Sequence, residues 1–343
     1  MKVNSAREPE LFEVMFVSRG NGRGHAVPDM AIAAKLIDLS PHISVQFVSY
    51  AEGAEAYRAC GHQVLDLQAP DMPPLFHMLI VFTKLLGHAK PRLVVAHEEF
   101  PVPPAAACLG IPCIFITDFF MDPSSLHMQA LQHAFEIIFT AEPGLYTEPP
   151  QLNGKVHYVG RAVRNMEYTR ADWERARKEL NVPLDATVVL CQPGGWTESR
   201  APLAGLLSAA WDQIRLSPKR LIWLTGRDYE TLAARFRQRD DVIILREDWK
   251  IDRLMAASDV LITKANRLTV YEAASLGLPS ISISSLLNWP DDVAVGRVDS
   301  NTPLVCDSLT PQTLAERILE KVGSSGQSVG GMTAKRSRLR LIG

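Results

Sequence analysis

Gly20, Gly22 and Gly24 alternate directly before His25 near the start of the chain. Residues 13–18, just before them, have the apolar pattern of a buried strand, and apolar residues at helical spacing follow them. The glycines therefore predict a tight turn from strand to helix, with backbone that a ligand can approach. An imidazole at such a strand end can accept a hydroxyl proton at neutral pH. The alternative is a helix-start histidine that only hydrogen-bonds the nearby backbone.

The spacing of this turn argues against two common nucleotide-binding folds. His25 stands where the G-x-G-x-x-G motif of dinucleotide-binding folds needs its third glycine. The lysine pattern of a P-loop is absent from the sequence. Neither an NAD-dependent enzyme nor a P-loop kinase is favoured.

A second strand, loop and helix lie between Ser258 and Pro279. Apolar residues 260–262 predict a buried parallel strand. Thr269 and Glu272 have the spacing of a capping box at the start of the following helix. A helix N-terminus at the carboxyl end of a parallel strand favours a phosphate or a polar sugar. Glu272 thus has two interpretations, as a partner of the Thr269 amide or as a ligand contact.

Other polar loops follow predicted strands. The stretch 192–199 follows an apolar run and precedes a helix, so its amides and hydroxyls could hold a phosphate. Gly226 follows the next strand. In the first half, Glu98 and Asp118 fall at the ends of two buried strands, where side chains reach the ligand edge of a sheet.

Composition limits the function classes. The 343 residues are 47% hydrophobic and 22% charged, with a net charge of −2, which fits about two globular domains and no nucleic-acid partner. No apolar run reaches the roughly 20 residues of a membrane span. The five cysteines are scattered without metal-ligand spacing, and no Asp-x-Asp triplet occurs. We expect reduced thiols, mostly in the core, in a cytoplasmic protein without a bound metal.

Strands and helices alternate in both halves of the chain, which predicts two doubly wound α/β domains with parallel sheets facing a cleft. The predicted domains are residues 1–160 and 161–322, followed by a disordered tail at 323–343. Residues 73–89 form an apolar helical stretch that is hydrophobic nearly all round. Burial is the first interpretation of this helix, and contact with a membrane surface is the second.

Two segments resemble a known family. Thr263 to Pro279 resembles the donor-binding segment of GT-B glycosyltransferases, and Gly22 to Pro28 resembles their first glycine loop. The nearest resemblance is to the MurG-type N-acetylglucosaminyltransferases and the monogalactosyldiacylglycerol synthases. The sequence departs from the family at Ala265 and Asn266, where glycine is usual, and at Trp196, which is larger than usual.

The resemblance implies a GT-B fold and metal-independent transfer of a hexose or N-acetylhexosamine from a UDP-sugar to an acceptor hydroxyl. It implies that Glu272 holds the ribose and that His25 lies at the interdomain cleft as catalytic residue, with Asp118 and Glu98 as alternates. The other donor-binding residues that it implies are Gly22, Gly24, Gly194, Gly195, Trp196, Thr197, Gly226, Trp249, Asn266, Arg267, Leu268 and Thr269.

The expected partners are a nucleotide-sugar donor and an acceptor that is a lipid, a glycan or a small molecule. No cofactor is expected beyond the UDP-sugar itself, and peripheral contact with a membrane is the alternative to a purely cytoplasmic location. Two other functions fit the same features: a UDP-sugar epimerase or hydrolase, and a nucleotide-sugar-binding protein without turnover.

Overall fold

The computed structural model describes residues 13–70, 73–141, 143–144, 146–160, 166, 168–192, 201–248, 251–264, 267–284, 304–305 and 309–329. The chain divides into two compact units, Met1–Arg164 and Asn165–Gly343. Each unit contains one parallel sheet whose strands alternate with helices along the chain. The α/β class predicted from the alternating pattern is confirmed.

The first unit is built on a seven-stranded sheet in the order β3-β2-β1-β4-β5-β6-β7. Its strands are β1 (Val14–Ser18), β2 (Val45–Ser49), β3 (Val64–Asp66), β4 (Leu93–His97), β5 (Cys113–Thr117), β6 (Glu136–Phe139) and β7 (Val156–Tyr158). Its helices are α1 (Ala26–Leu39), α2 (Ala51–Ala59), α3 (Leu75–Ala89), α4 (Val102–Cys108) and α5 (Leu126–Leu131), with a 3-10 turn at Pro150–Leu152.

The central strand β1 explains where this unit can bind a ligand. All five of its residues are buried, as expected for an apolar strand covered on both faces. It pairs with β2 on one side and β4 on the other. The strand order therefore reverses between β1 and β4, and a crevice opens at the carboxyl ends of parallel strands at such a point.

The second unit repeats this arrangement in a six-stranded sheet with the order β10-β9-β8-β11-β12-β13. Its strands are β8 (Thr187–Gln192), β9 (Lys219–Leu224), β10 (Val242–Leu245), β11 (Val260–Lys264), β12 (Ser280–Ser284) and β13 (Leu304–Val305). Its helices are α6 (Arg170–Glu179), α7 (Ala201–Gln213), α8 (Tyr229–Phe236), α9 (Ile251–Ala257), α10 (Arg267–Ser275) and α11 (Pro311–Val329), with a 3-10 turn at Gly226–Asp228.

Arg177 on α6 ties that helix to the centre of the second sheet. Its side chain is 1% exposed and donates two hydrogen bonds to Asp259, at 3.0 and 2.9 Å. It also donates to the backbone oxygens of Ala257, at 3.0 Å, and Ala186, at 2.6 Å. Asp259 in turn accepts from the backbone N–H of Val188 at 2.7 Å. The buried guanidinium is thus satisfied by a carboxylate and by carbonyls that the strands leave free.

The predicted capping box at Thr269 is wrong. Helix α10 begins at Arg267, so Thr269 is its third residue and is 8% exposed. Arginine and leucine are good helix formers, and they extend the helix by two residues toward its N-terminus. The second unit does contain a capping box, but at Thr169 and Asp172, where α6 begins.

The expectation that α3 is buried all round is also wrong. Met78, Phe82 and Leu86, spaced four residues apart, are buried in the core of the first unit. Phe76 and Ile80 are 67% and 56% exposed. A helix in the outer layer of an α/β unit turns only one face to the sheet and its neighbours, so apolar residues on its other face remain at the surface.

Two further expectations need correction. Helix α11 continues to Val329, whereas a disordered tail was predicted from residue 323. Extending an existing helix is easier than starting one, because each added residue gains a hydrogen bond without a new nucleus. Of the cysteines that the structure describes, Cys113 and Cys191 are buried, but Cys60 and Cys108 are exposed.

Candidate active site

A histidine and a glutamate meet where the first sheet reverses its strand order. His25 directly precedes α1, and Glu98 directly follows β4. Because β1 and β4 are neighbours, with Ser18 opposite His97, the two loops leave the sheet side by side. His25 Nε2 lies 2.8 Å from Glu98 Oε2. The interpretation of His25 as a residue that only bonds nearby backbone is therefore wrong.

The backbone of Glu98 is unusual and explains how its side chain reaches His25. Its φ angle is 52°, in the left-handed region that residues with a Cβ rarely occupy. The regular alternation of strand side chains breaks at this residue, and three consecutive polar side chains find separate partners: His97 contacts Asp29, Glu98 contacts His25 and Glu99 contacts Tyr50. Such backbone strain is characteristic of functional sites.

The protonation of this pair follows from its surroundings. Burial alone would raise the pKa of Glu98, but the charges of His25 and His97, with the hydrogen bond to His25, lower it to about 2. The carboxylate can only accept, so His25 donates from Nε2. In the neutral form of His25 the lone pair lies on Nδ1, an atom that is closed to solvent and has no hydrogen-bond partner among the described residues. The arrangement is that of a general base oriented by a carboxylate.

A second set of hydrogen-bonded polar side chains lies at the same edge of the sheet. Asp29 on α1 is fully buried; its Oδ1 lies 2.8 Å from His97 Nδ1, and its Oδ2 accepts from Ser18 Oγ at 2.5 Å. Tyr57 OH lies 2.5 Å from the same Ser18 Oγ. Sequence reasoning missed Asp29, Ser18 and Tyr57 as members of this site. The only local signal was Asp29, an acid in the first turn of α1, one helical turn after His25.

The third predicted catalytic residue also lies at this edge of the sheet. Thr117, the last residue of β5, donates to Glu98 Oε1 at 3.4 Å. Asp118 follows it, and its negative charge contributes to a raised pKa of His97. The structure therefore places all three predicted catalytic residues, His25, Glu98 and Asp118, at the carboxyl ends of β1, β4 and β5.

The glycine loop is shaped by close packing at one end and is open at the other. A Cβ on Gly20 would lie 2.3 Å from the Tyr50 ring, so only glycine fits there. Gly22 has a φ of 73°, which glycine adopts without strain. A Cβ on Gly24 would meet nothing within 4 Å. The loop is thus fixed against Tyr50 at Gly20 and leaves free space at Gly24.

Glu99 is a buried acid with an unusual titration. It is 5% exposed, and Tyr50 OH donates to its Oε2 at 2.9 Å. Burial raises the pKa of Glu99 from 4.5 to about 7, although the hydrogen bond from Tyr50 and the charge of Arg19 act in the opposite direction. As pH rises, Glu99 loses its proton at a lower pH in the unfolded chain than in the folded protein. Between pH 4.5 and about 7 the folded state therefore holds one more proton than the unfolded state. Stability therefore falls as pH rises from 4.5 to about 7.

We predict that Glu99→Gln removes this pH dependence. The amide keeps an acceptor for Tyr50 and carries no charge. At 1.36 kcal/mol per pH unit, the wild type should lose about 3 kcal/mol relative to the variant between about pH 4.5 and pH 7. Urea unfolding of both proteins at several pH values measures this. Glu55→Gln, on the exposed side of α2, is the control. Parallel pH profiles for wild type and Glu99→Gln would contradict the prediction.

The predicted donor-binding residues lie mostly in the second unit. Gly226 opens the 3-10 turn after β9 with a φ of 56°. Leu268, Thr269 and Glu272 belong to α10, and Glu272 is 3% exposed. The side chain of Arg267, the first residue of α10, is not described. Gly194, Gly195, Trp196, Thr197, Trp249 and Asn266 lie outside the described residues.

The strand order of the second unit shows where its sheet can bind a ligand. It reverses between β8 and β11, the same relation as between β1 and β4. The predicted phosphate loop follows β8 and the segment leading to α10 follows β11. The carboxyl ends of β8 and β11 therefore meet at the reversal point of the second unit.

The described residues contain neither a metal-binding cluster nor a helix that could cross a membrane. Within the described ranges, no group of three or more His, Cys, Asp or Glu side chains is arranged to hold a metal ion. In the same part of the chain, no helix has both the length and the apolar character that a membrane crossing requires.

Comparison with known proteins gives relatives along most of the chain. No protein-family model matches. The UDP-N-acetylglucosamine--N-acetylmuramyl-(pentapeptide) pyrophosphoryl-undecaprenol N-acetylglucosamine transferase of Acetivibrio thermocellus is 23% identical over 295 residues, which cover 79% of this chain and 78% of that protein.

Solved structures agree in fold. MurG of Acinetobacter baumannii superposes with a TM-score of 0.57 at 16% identity, covering 92% of this chain and 94% of that one. A structure described as a UDP-N-acetylglucosamine 2-epimerase of Listeria monocytogenes superposes with a TM-score of 0.64 at 12% identity, covering 93% and 91%. With two parallel-sheet α/β units and these neighbours, the chain has the GT-B fold and is related to the MurG-type glycosyltransferases.

Proposed function

We propose that this protein is a glycosyltransferase that moves a hexose or N-acetylhexosamine from a UDP-sugar to an acceptor hydroxyl. The observation that carries the proposal is the His25–Glu98 pair, because it holds an imidazole oriented by a carboxylate at the ligand edge of a GT-B unit. Transfer to a hydroxyl needs such a base. The relationship to a UDP-N-acetylglucosamine transferase over 79% of the chain supports the donor class.

The proposed transfer uses the His25–Glu98 pair as its general base. The acceptor hydroxyl displaces the groups that close Nδ1 of His25 to solvent and gives its proton to that nitrogen, while its oxygen forms a bond to C1 of the sugar. The bond between C1 and the diphosphate oxygen breaks, and UDP leaves with that electron pair. Glu98 accepts the hydrogen bond from Nε2 throughout and balances the positive charge that forms on the ring. Helix N-termini and backbone amides at the strand ends stabilise the diphosphate charge.

The donor side is proposed to rest on α10, with Glu272 accepting hydrogen bonds from the ribose. We predict that UDP raises the melting temperature of the wild type and that Glu272→Ala removes most of this shift. Loss of hydrogen bonds to a carboxylate should cost about 1.5–3 kcal/mol of binding. Differential scanning fluorimetry with UDP, GDP and dTDP measures the effect.

The control for this prediction is Glu316→Ala on α11, where the glutamate is exposed and accepts from Gln312 at 2.9 Å. This variant should respond to UDP as the wild type does. A shift with GDP or dTDP but none with UDP would overturn the uridine assignment. An unchanged UDP shift in Glu272→Ala would overturn the role of Glu272.

One assay separates transfer from the two other functions. The protein is incubated with UDP-sugars, with and without extracted lipid and glycan acceptors, and the products are identified by mass spectrometry. A new glycosylated product supports transfer, conversion of the donor without an acceptor indicates an epimerase or hydrolase, and binding alone indicates a protein without turnover. Since no cofactor or metal is proposed, transfer should persist in EDTA. Activity that is lost in EDTA and restored by magnesium or manganese would contradict the metal-free reaction.

We further propose that the acceptor is carried on a lipid and reached at a membrane surface. The relative from Acetivibrio thermocellus is named for a pyrophosphoryl-undecaprenol substrate. On this chain, α3 exposes Phe76 and Ile80, with the exposed Lys84 one turn further along the helix. Apolar side chains next to a cation suit the interface of an anionic bilayer.

We predict that Phe76→Ser with Ile80→Ser weakens binding to anionic vesicles. At about 25 cal/mol per Å², losing two large apolar side chains from a membrane contact should lower the affinity at least about tenfold. Vesicle flotation of wild type and variant measures this. Leu184→Ser, which replaces an apolar residue 52% exposed in the second unit, is the control. Equal flotation of wild type and the double variant would contradict the membrane contact.

A further inference from the structure

A second histidine–carboxylate pair is packed against the first one. The rings of His25 and His97 meet edge to face, with centroids 5.1 Å apart and an interplanar angle of 82°. His97 is bound to Asp29, and both side chains are almost fully closed to solvent, at 8% and 0% exposure. The proposed sugar transfer uses only the side chains of His25 and Glu98. The buried pair is therefore an ionisable group without a part in that reaction.

The hydrogen bonds around Asp29 form a connected chain. Ser18 donates to Asp29, so Tyr57 is the donor in its contact with Ser18. Burial raises the pKa of the Tyr57 hydroxyl, which keeps its proton available for that bond. Both oxygens of Asp29 thus accept hydrogen bonds, as suits an ionised carboxylate. The hydrogen bonds from Tyr57 to Ser18 and from Ser18 and His97 to Asp29 join buried side chains only.

The surroundings of His97 favour its protonated form. Burial alone would lower the pKa of His97, but the charge and the hydrogen bond of Asp29 outweigh burial and raise it. Glu98 and Asp118, at the ends of β4 and β5, add to the same effect. The other ionisable groups around this cluster are His25 before α1, Tyr57 on α2 and Arg19 after β1, which acts on Glu98. The raised pKa favours a positive charge on His97, one residue before Glu98 in the chain.

We propose that His97, held by Asp29, is a positioning residue for the catalytic pair. Its positive charge keeps Glu98 ionised and directed at Nε2 of His25. This fixes the His25 tautomer with the proton on Nε2 and leaves Nδ1 as the atom that takes the proton from the acceptor. Asp29 acts one step further away, because without its carboxylate a buried His97 would be neutral. The effect on turnover rests on the proposed glycosyl transfer, whereas the tautomer can be measured without any reaction.

The first test uses the wild-type protein. Long-range ¹H–¹⁵N spectra of ¹⁵N-histidine-labelled protein, recorded across a pH series, report which ring nitrogens carry protons. The expected result is a His97 that keeps both ring protons above the ordinary imidazole pKa of about 6.5, and a single His25 tautomer protonated at Nε2. A His97 that loses its second ring proton at or below about pH 6.5, or a His25 protonated at Nδ1, would overturn the proposal.

The second test replaces the charge and keeps the hydrogen bond. In His97→Gln the amide can still donate to Asp29, but the cation is lost. The expected result is a mixture of His25 tautomers, with kcat at least about tenfold lower and KM for the UDP-sugar unchanged. His157→Gln is the matched control, because His157 also pairs with a glutamate, Glu136 at 2.6 Å, but on an exposed part of the first unit. This control should leave both the His25 spectrum and kcat unchanged.

The outcomes are distinguishable. If the wild type shows the expected protonation states but transfers no sugar, the proposed function fails and the positioning role of His97 stands as a property of the structure. If transfer occurs and His97→Gln keeps both the single tautomer and the wild-type kcat, the positioning role is wrong. If His97→Gln does not fold, the wild-type pH series decides the question alone.

Discussion

His25→Ala is expected to lower the rate of sugar transfer by about 10²–10⁴-fold, the usual contribution of a general base. The variant loses the imidazole that is proposed to receive the acceptor proton, and it leaves Glu98 without the hydrogen bond from His25. UDP binding should be almost unchanged, because the proposed ribose contact is Glu272 and the proposed phosphate contacts are backbone amides, which this side-chain substitution keeps. Steady-state transfer rates and the UDP-induced thermal shift, measured on the same preparations, test both statements.

The control for this experiment is His157→Ala, which removes an exposed histidine that is likewise paired with a glutamate. It should transfer sugar at the wild-type rate. A His25→Ala variant with near-wild-type turnover would return His25 to a purely structural role. Glu98→Gln should fall between wild type and His25→Ala, because the amide cannot balance the charge that forms on the ring.

Arg177→Leu is expected to destabilise the second unit by about 3–5 kcal/mol. The leucine fills part of the space but leaves the Asp259 carboxylate half-buried without its cation. The backbone oxygens of Ala257 and Ala186 also lose their donor. Breaking one side of a buried ion pair in this way is among the few changes that cost so much. Chemical denaturation followed by circular dichroism measures the loss.

Arg170→Leu provides a close comparison. Arg170 lies on the same helix and stacks on the same Trp173 ring, 3.9 Å from the ring centroid against 4.2 Å for Arg177. It is 58% exposed and pairs with an exposed glutamate, so its loss should cost less than about 1 kcal/mol. Equal destabilisation by the two variants would show that stacking on Trp173, rather than the buried ion pair, is what matters.

The repeating pattern of apolar runs and loops was sufficient to predict the fold class. Buried parallel strands such as β1 and β5 are continuous apolar runs, and a local pattern of this kind is readable without knowledge of distant contacts. Element ends were less predictable. The start of α10 depends on how far favourable helix formers extend the helix, and the Thr269–Glu272 spacing gave the wrong answer. Exposure of Phe76 and Ile80 depends on which face of α3 meets the sheet, which periodicity alone did not show.

The candidate site was predictable only in part. Glycines before His25 and polar residues at the ends of β4 and β5 pointed to the correct edge of the sheet. The contacts themselves join residues far apart in the chain: 73 positions separate His25 from Glu98, and 68 separate Asp29 from His97. These pairings depend on β1 and β4 being neighbours, which is a property of strand order. The left-handed backbone of Glu98 directs its side chain, and neither the glutamate nor its neighbours in the sequence indicate this conformation.

The strand order of the two sheets also suits a chain that folds as it leaves the ribosome. In both sheets each new strand pairs with a strand that has already been made: β2 and β4 add beside β1, β9 and β11 add beside β8, and the others add outward from these. In these two sheets only the first strands, β1 and β8, have to wait for a first partner that is still to be translated. The His25–Glu98 contact can form once β4 docks on β1, before the three strands on that side of β4 exist. The first unit can then be complete before β8 of the second unit is synthesised, which limits the exposure of unpaired strand edges in the nascent chain.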